Sequence, residues 1–196
     1  ELPPVFVLQR GNPASPAEQV QPGFPAVLSP PEPQLEASHN PATSGRRLAL
    51  AKWITSPENP LTARVMVNRI WQYHFGVGLV PTSTNFGALG ERPSHPELLD
   101  ELAARYVEAG WSAKRLHRWL MLSSTYGRSS RVDAAALRID PENRWWGRMN
   151  RRRLEWEPLH DALLAVSGQL NLTLGGPTVN NTFSEGSQRR ALYGHL

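Results

Sequence analysis

A stripe of polar and aromatic side chains is the first group in this sequence that could bind a ligand. Its members recur at four-, three- and four-residue steps and are Arg64, Asn68, Trp71 and Phe75. On a helix they would lie within about 60° of one another. A guanidinium and an amide beside two aromatic rings can hold a planar polar ligand or stack a sugar ring. The same polar groups could instead satisfy backbone groups of the loop at residues 76–92, because buried polar groups need partners. We favour this structural role.

Histidines extend the stripe to a candidate pocket under the same loop. The candidate pocket consists of Arg64, Asn68, Trp71, His74, Asn85 and His95. An imidazole titrates near neutral pH and can transfer a proton, so an enzyme is the alternative to a structural role. The two hypotheses differ in one requirement. An enzyme needs Arg64, Asn68, His74 and His95 to converge in the fold.

Metal and cofactor chemistry is not predicted. The chain has no cysteine, which excludes thiolate zinc sites, iron–sulfur clusters and disulfides within it. Glu157 and His160 lie one helical turn apart, as in carboxylate-bridged di-iron bundles, but those bundles need a second such pair. No phosphate-binding loop, dinucleotide fingerprint or nucleophile elbow occurs. We therefore predict no metal and no cofactor.

A basic, tryptophan-rich segment is the second candidate site. This candidate binding surface consists of Trp145, Trp146, Arg148, Arg151, Arg152 and Arg153. Residues 114–153 carry eleven Lys or Arg against three acidic residues, a net charge of +8, whereas residues 1–45 carry a net charge of −3. Such a surface suits an anionic polysaccharide, an acidic protein face or single-stranded nucleic acid. The acidic N-terminal region argues against nucleic acid.

The same arginines have an ordinary structural explanation. Glu155, Glu157 and Asp161 follow them at helical spacing and could form ion pairs with them. Tryptophans at this density usually belong to a core. We favour this explanation over binding, and both remain open at this point.

Helical patterns position both candidate sites. An asparagine cap at Asn59 followed by Pro60 predicts a helix that ends at Phe75, with Gly76 as the left-handed residue after it. Ser44 is a plausible cap of an earlier helix that ends at Ser56–Pro57. The motif Ser94-x-x-Glu97 predicts a capping box for a helix that stops at Gly110.

Two further helices complete the pattern. Ser112 is the expected cap of the first, and the last helix should start near Glu155–Glu157, where Pro158 starts or kinks it. Leu159, Leu163 and Val166 form its apolar stripe. Residues 127–150 look irregular.

Residues 1–43 are predicted to form a proline-rich arm or linker. Ten of the 18 prolines lie between Pro3 and Pro41, and proline excludes long helices and central strands. The apolar run at residues 5–8 is compatible with one short edge strand. We predict an all-α fold, with a helical domain at residues 44–196 and a partly extended N-terminal arm.

Several unusual strings occur in a fixed order along the helical domain. They lie at residues 45–53, 59–71, 75–80, 85–87, 95–100, 148–155 and 161–168. In these strings the chain resembles the planctomycete-specific domain of unknown function that is called the PSD-one family. The resemblance covers nearly the whole chain.

The resemblance implies a bacterial, exported, multidomain protein that often carries a cytochrome-c-like domain. It therefore implies a secreted or periplasmic location and the other domains of the parent protein as partners. Domains of this kind normally continue past Arg189–Arg190, so we expect this one to be truncated at its C-terminal end. No family activity is established. We predict a non-catalytic structural or interaction module that binds an acidic glycan or a partner domain. The alternative is an enzyme domain that is redox-linked to a cytochrome domain. No apolar run is long enough to span a membrane.

Overall fold

The computed structural model describes residues 4–35, 43–180 and 187–195. The chain forms two compact units, Glu1–Asn150 and Arg151–Leu196. The predicted arm or linker at residues 1–43 lies partly outside the described residues. The predicted division at residues 43 and 44 therefore stays a prediction.

A β-hairpin begins the first unit. Strand β1 (Val5–Leu8) pairs antiparallel with β2 (Pro16–Val20), with an irregular register between Phe6 and Leu8. The predicted edge strand is present, and its partner was not expected. Pro16 is compatible with β2 because it is the first residue of that strand. All nine strand residues are exposed.

Six α-helices make up most of the remaining regular structure in the described residues. They are α1 (Arg46–Ile54), α2 (Thr62–Phe75), α3 (Pro96–Glu108), α4 (Ala113–Met121), α5 (Ala134–Ile139) and α6 (Trp156–Val166). The fold is mainly helical, as predicted, but the all-α class is too strict because of the hairpin. Within the described chain, every helix is too short or too polar to cross a membrane.

Helix α2 starts and ends close to the predicted positions. The Asn59 side-chain oxygen accepts hydrogen bonds from the backbone nitrogens of Leu61 and Thr62, at 3.0 and 3.2 Å. Regular helix begins at Thr62, two residues after Pro60. The helix ends at Phe75, and Gly76 has the positive φ of 88° that favours glycine at this position.

The predicted caps of α1 and α3 need correction. Gly45 precedes α1 with a φ of 71°, and Ser44 accepts only a long hydrogen bond of 3.4 Å from the Arg46 nitrogen. The Ser94 hydroxyl does not cap α3, because it donates to the carbonyl of Leu79 instead. By contrast, Ser112 caps α4 as predicted.

Helix α5 lies in the region that was expected to be irregular. Asp133 caps it by accepting hydrogen bonds from the nitrogens of Ala135 and Ala136. Three consecutive alanines then favour helix. At six residues it is too short to show a clear periodicity, which explains why the sequence pattern missed it.

The hydrophobic core lies between α2, α3 and α4. Its least exposed large side chains are Val67, Phe75, Leu79, Leu99 and Leu116. Each fully buried aliphatic or aromatic side chain stabilises the fold by about 1.5–3 kcal/mol relative to exposure. Leu79 enters from the loop after α2, and Trp146 enters from a second loop. These two loops are therefore part of the folded core.

The second unit contains α6 and two short parallel strands. Pro158 lies in the first turn of α6, where a missing N–H costs no hydrogen bond. Strand β3 (Val179–Asn180) pairs with β4 (Gly194–His195). The apolar stripe of α6 is exposed, with Leu163 at 52% and Val166 at 91%. The sequence pattern identified this helix and did not indicate that its stripe would be uncovered.

Candidate functional site

Asn68, the central polar residue of the predicted pocket, is fully buried and fully engaged. Its amide nitrogen donates to the Val80 carbonyl at 3.0 Å, and its amide oxygen accepts from the Val80 nitrogen at 2.8 Å. One side chain thus replaces a pair of backbone hydrogen bonds and fixes the loop after α2. Asn68 has the structural role that the sequence favoured, and it is not accessible to a ligand.

Arg64 connects two helices. Its Nε donates to Asp100 of α3 at 2.6 Å, and its Nη1 donates to the carbonyl of Pro60. The hydrogen bond from Arg64 lowers the pKa of Asp100 below its usual value. Arg64 therefore holds α3, not the loop at residues 76–92.

Trp71 belongs to a buried aromatic cluster. Its ring stacks on Phe75 with centroids 4.2 Å apart and meets Trp146 edge-on at 5.2 Å. Only 4% of Trp71 is exposed. Its ring is therefore closed to a sugar or another planar ligand.

The remaining pocket residues make contacts of their own. His74 is hydrogen-bonded to His117, Asn85 accepts from the nitrogen of Gly87 within a turn, and His95 is bonded to the Ser94 hydroxyl. The four side chains that the enzyme hypothesis requires have four separate sets of partners. None of the hydrogen bonds described above joins two of these four side chains.

The loop at residues 140–150 is organised by side chains that sequence analysis did not single out. The Asp140 carboxylate accepts from the nitrogens of Arg144 and Trp145, both at 2.8 Å. Asn143 is only 2% exposed; it donates to the Arg148 carbonyl and to Asn150 and accepts from the Arg148 nitrogen. The sequence did contain an indication of these contacts. Short polar residues recur along this arginine-rich loop, and Asp and Asn side chains commonly bond to nearby backbone.

The two adjacent tryptophans of this loop have opposite environments. Trp146 is buried against Trp71 and Phe75, with a φ of 53° that turns its side chain inward. Trp145 is 67% exposed. Trp146 must therefore be removed from the predicted binding surface, and Trp145 remains on it.

A cavity of about 320 Å³ lies beside Trp145. We call it the Trp145 cavity; it is lined by Arg131, Asp133, Ala136, Ile139, Asp140, Asn143, Trp145, Gly147 and Arg148. The indole and Ile139, which is 69% exposed, form apolar walls. Trp145 also lines a neighbouring cavity of about 400 Å³ with Arg144 and Glu142.

The charged side chains around the Trp145 cavity differ in whether they already have hydrogen-bond or ion-pair partners. The carboxylates of Asp133 and Asp140 both accept hydrogen bonds from backbone nitrogens. Arg148 donates to the carbonyls of Asp140 and Pro141, so its role is partly structural. Arg131 makes no ion pair with any described residue.

The second unit begins with Arg151, Arg152 and Arg153, all of which are exposed. None of them pairs with a carboxylate among the described residues. The ion pairs that the sequence favoured for this cluster are therefore not formed there. Asp161, one of the expected partners, is bonded to Arg190, His160 and the nitrogen of Ala191.

His160 is buried beside Trp156 and is bonded to Asp161. It shares no hydrogen bond with Glu157, its neighbour one turn earlier. The described residues contain no group of three or more histidine, aspartate or glutamate side chains placed to hold a metal ion.

Together the fold and these contacts define a mainly helical domain whose buried polar side chains hold loops onto helices. The chain belongs to the PSD1 family of proteins of unknown function (DUF1553), whose model matches residues 46–195. This match confirms the resemblance seen in the sequence. Neither the curated proteins nor the solved structures gave a match.

Proposed function

We propose that this domain is a non-catalytic interaction module of an exported multidomain protein, and that the surface around Trp145 binds an anionic partner. The observation that carries the proposal is the Trp145 cavity. An exposed indole lies there beside guanidinium groups, while the two carboxylates that line this cavity, Asp133 and Asp140, accept hydrogen bonds from backbone nitrogens. The separate contacts of Arg64, Asn68, His74 and His95 favour this proposal over an enzyme.

The exposed aromatic ring gives the proposal its energetic basis. Exposed tryptophans are costly to keep in water, and burying an aromatic side chain dominates the energetics of many interfaces. Trp145 is 67% exposed although Trp146 beside it is buried. This contrast supports Trp145 as the tryptophan that would contact a partner.

The charges near Trp145 favour an anionic partner. Arg131 has no carboxylate partner in the described chain, and Arg144 is exposed on the neighbouring cavity. A guanidinium can form two parallel hydrogen bonds with a carboxylate or sulfate group. A polysaccharide of uronic-acid or sulfated sugars offers both such a group and an apolar ring face for the indole.

Binding assays on the whole chain test this proposal. The chain is titrated with a sulfated polysaccharide, a polyuronate and a neutral polysaccharide. We expect W145A and R131Q to weaken binding to the charged polymers by about 10-fold or more, equivalent to 1.4 kcal/mol. Y73A and R69Q are matched controls, since Tyr73 and Arg69 are exposed on α2.

The contradicting results are equally specific. No binding to either charged polymer, or binding that W145A and Y73A weaken equally, excludes the glycan proposal. If only the parent protein's other domains bind, and W145A weakens that contact, the partner is a protein domain. Preference for single-stranded nucleic acid over both polymers would reverse our expectation about nucleic acid.

A further inference from the structure

His74 and His117 approach each other at the surface of the three-helix core. The Nε2 atom of His74 and the Nδ1 atom of His117 are 2.7 Å apart. His74 lies in the last turn of α2, and His117 lies in the middle of α4. The pair joins two helices across 43 residues of sequence, so no local sequence motif could have revealed it.

We propose that His74 and His117 form a two-histidine site for a divalent first-row transition metal ion. Imidazole nitrogen is the commonest protein ligand for copper, nickel and zinc. In the hydrogen bond, one nitrogen carries a proton that is directed at the lone pair of the other. For a metal ion to be bound by both nitrogens, that proton moves through water to the other nitrogen of its own ring, and both facing lone pairs are then available to the metal. Among the described residues no third histidine or carboxylate joins the pair, so water completes the coordination.

The distance between the nitrogens is close to what a metal requires. Two metal–nitrogen bonds of about 2.0–2.1 Å at a tetrahedral angle place the nitrogens about 3.3 Å apart. The rings must therefore separate by about 0.6 Å from their 2.7 Å contact. His117 is exposed, so rotation of its side chain can supply this movement without disturbing the core.

The packing below the pair holds both rings in position. His74 directly precedes Phe75, and His117 directly follows Leu116, and both of these neighbours are fully buried. The ring of Tyr126 meets His74 edge-on at 5.7 Å and limits its rotation. Two ligands on rigid, mutually packed helices lose little conformational freedom on binding. The proposal is independent of the Trp145 surface.

Titration with Cu²⁺ alone provides the test, because copper binds nitrogen sites most tightly among the divalent ions of this series. We expect one site that is tighter than the background from other histidines. H117Q should weaken it by at least about 10-fold, since loss of even an outer-shell partner has that effect. H95Q is the matched control, because His95 pairs only with Ser94 in the described chain.

A measurement on the unsubstituted chain removes any dependence on the folding of the variants. Substoichiometric Cu²⁺ should broaden the ring proton resonances of His74 and His117 before those of the other histidines, and those of the adjacent Tyr126 ring with them. Zn²⁺ should raise the Tm of the unsubstituted chain and leave that of H117Q unchanged. The proposal is overturned if other histidines broaden first, or if H117Q and H95Q bind Cu²⁺ equally.

Discussion

Asn150 donates a hydrogen bond from its side-chain nitrogen to the carbonyl of Phe75 at 3.0 Å. Phe75 is the last residue of α2, so its carbonyl has no partner within the helix. Asn150 is held in turn by Asn143, which is buried. The arginine-rich loop is thereby fixed to the end of the central helix, and this fixed loop presents Trp145 to solvent.

Replacing Asn143 should loosen this loop. N143A removes three hydrogen bonds and leaves the backbone groups of Arg148 without partners. An unsatisfied buried polar group costs about 1–3 kcal/mol, so we expect a loss of that size in the free energy of unfolding. Urea denaturation measures it. N85A is the control, because Asn85 bonds only within an exposed turn, and an equal loss there would contradict the role of Asn143.

A single methyl group at Gly78 should break the contact between Asn68 and Val80. A Cβ atom at this position would lie 2.5 Å from the Val80 oxygen and 2.7 Å from the Asn68 side-chain nitrogen. Such crowding typically costs about 1–3 kcal/mol. We expect G78A to lower the Tm, whereas G147A should not, because the nearest atom there is 3.9 Å away. Similar Tm values for the two variants would contradict the proposed packing.

The sequence predicted the parts of the fold that depend on neighbouring residues. The end of α2 at Gly76 and the cap of α4 at Ser112 were correct because nearby residues determine them. The cap at Ser94 was wrong because its hydroxyl bonds to the carbonyl of Leu79, fifteen residues away. The assignment of Trp145 and Trp146 to one surface failed because the left-handed backbone at Trp146 separates two adjacent side chains. Similarly, the pairing of His74 with His117 depends on helix packing that no local spacing encodes.

Two aspartates should make stability depend on pH in the acid range. At Asp161, burial raises the pKa, but hydrogen bonds from Ala191, His160 and Arg190 outweigh it, so the pKa is lowered. A carboxyl whose folded pKa lies below its unfolded value of about 3.9 stabilises the fold above that value. This stabilisation is lost as pH falls through the folded pKa.

Variants at these positions separate the two contributions. D161N should lose stability near pH 7, and its deficit relative to the unsubstituted chain should shrink below pH 4. D100N should show a smaller effect, because Asp100 is 56% exposed and its pair with Arg64 is screened by solvent. Chemical denaturation between pH 2 and 7 measures both deficits. A D161N deficit that stays constant over this range would contradict the pKa assignment.

Lysine should not be able to make the contacts that Arg189 makes in the second unit. Its guanidinium donates to the carbonyls of Thr173, Gly175 and Pro177 and lies 4.1 Å from the ring centroid of Tyr193. A lysine ammonium cannot reproduce this planar arrangement. We expect R189K to increase amide hydrogen exchange at residues 173–176, with R152K as an exposed control. Unchanged exchange in R189K would show that these bonds are unimportant.

The proposed function requires that Trp145 contacts a partner and that the buried Trp71 and Trp146 do not. The most direct test follows the indole N–H resonances while the chain is titrated with a sulfated polysaccharide. We predict that the Trp145 resonance shifts progressively, while those of the buried Trp71 and Trp146 stay within the range seen with a neutral polymer. A saturating titration that leaves the Trp145 resonance unmoved would contradict the proposal.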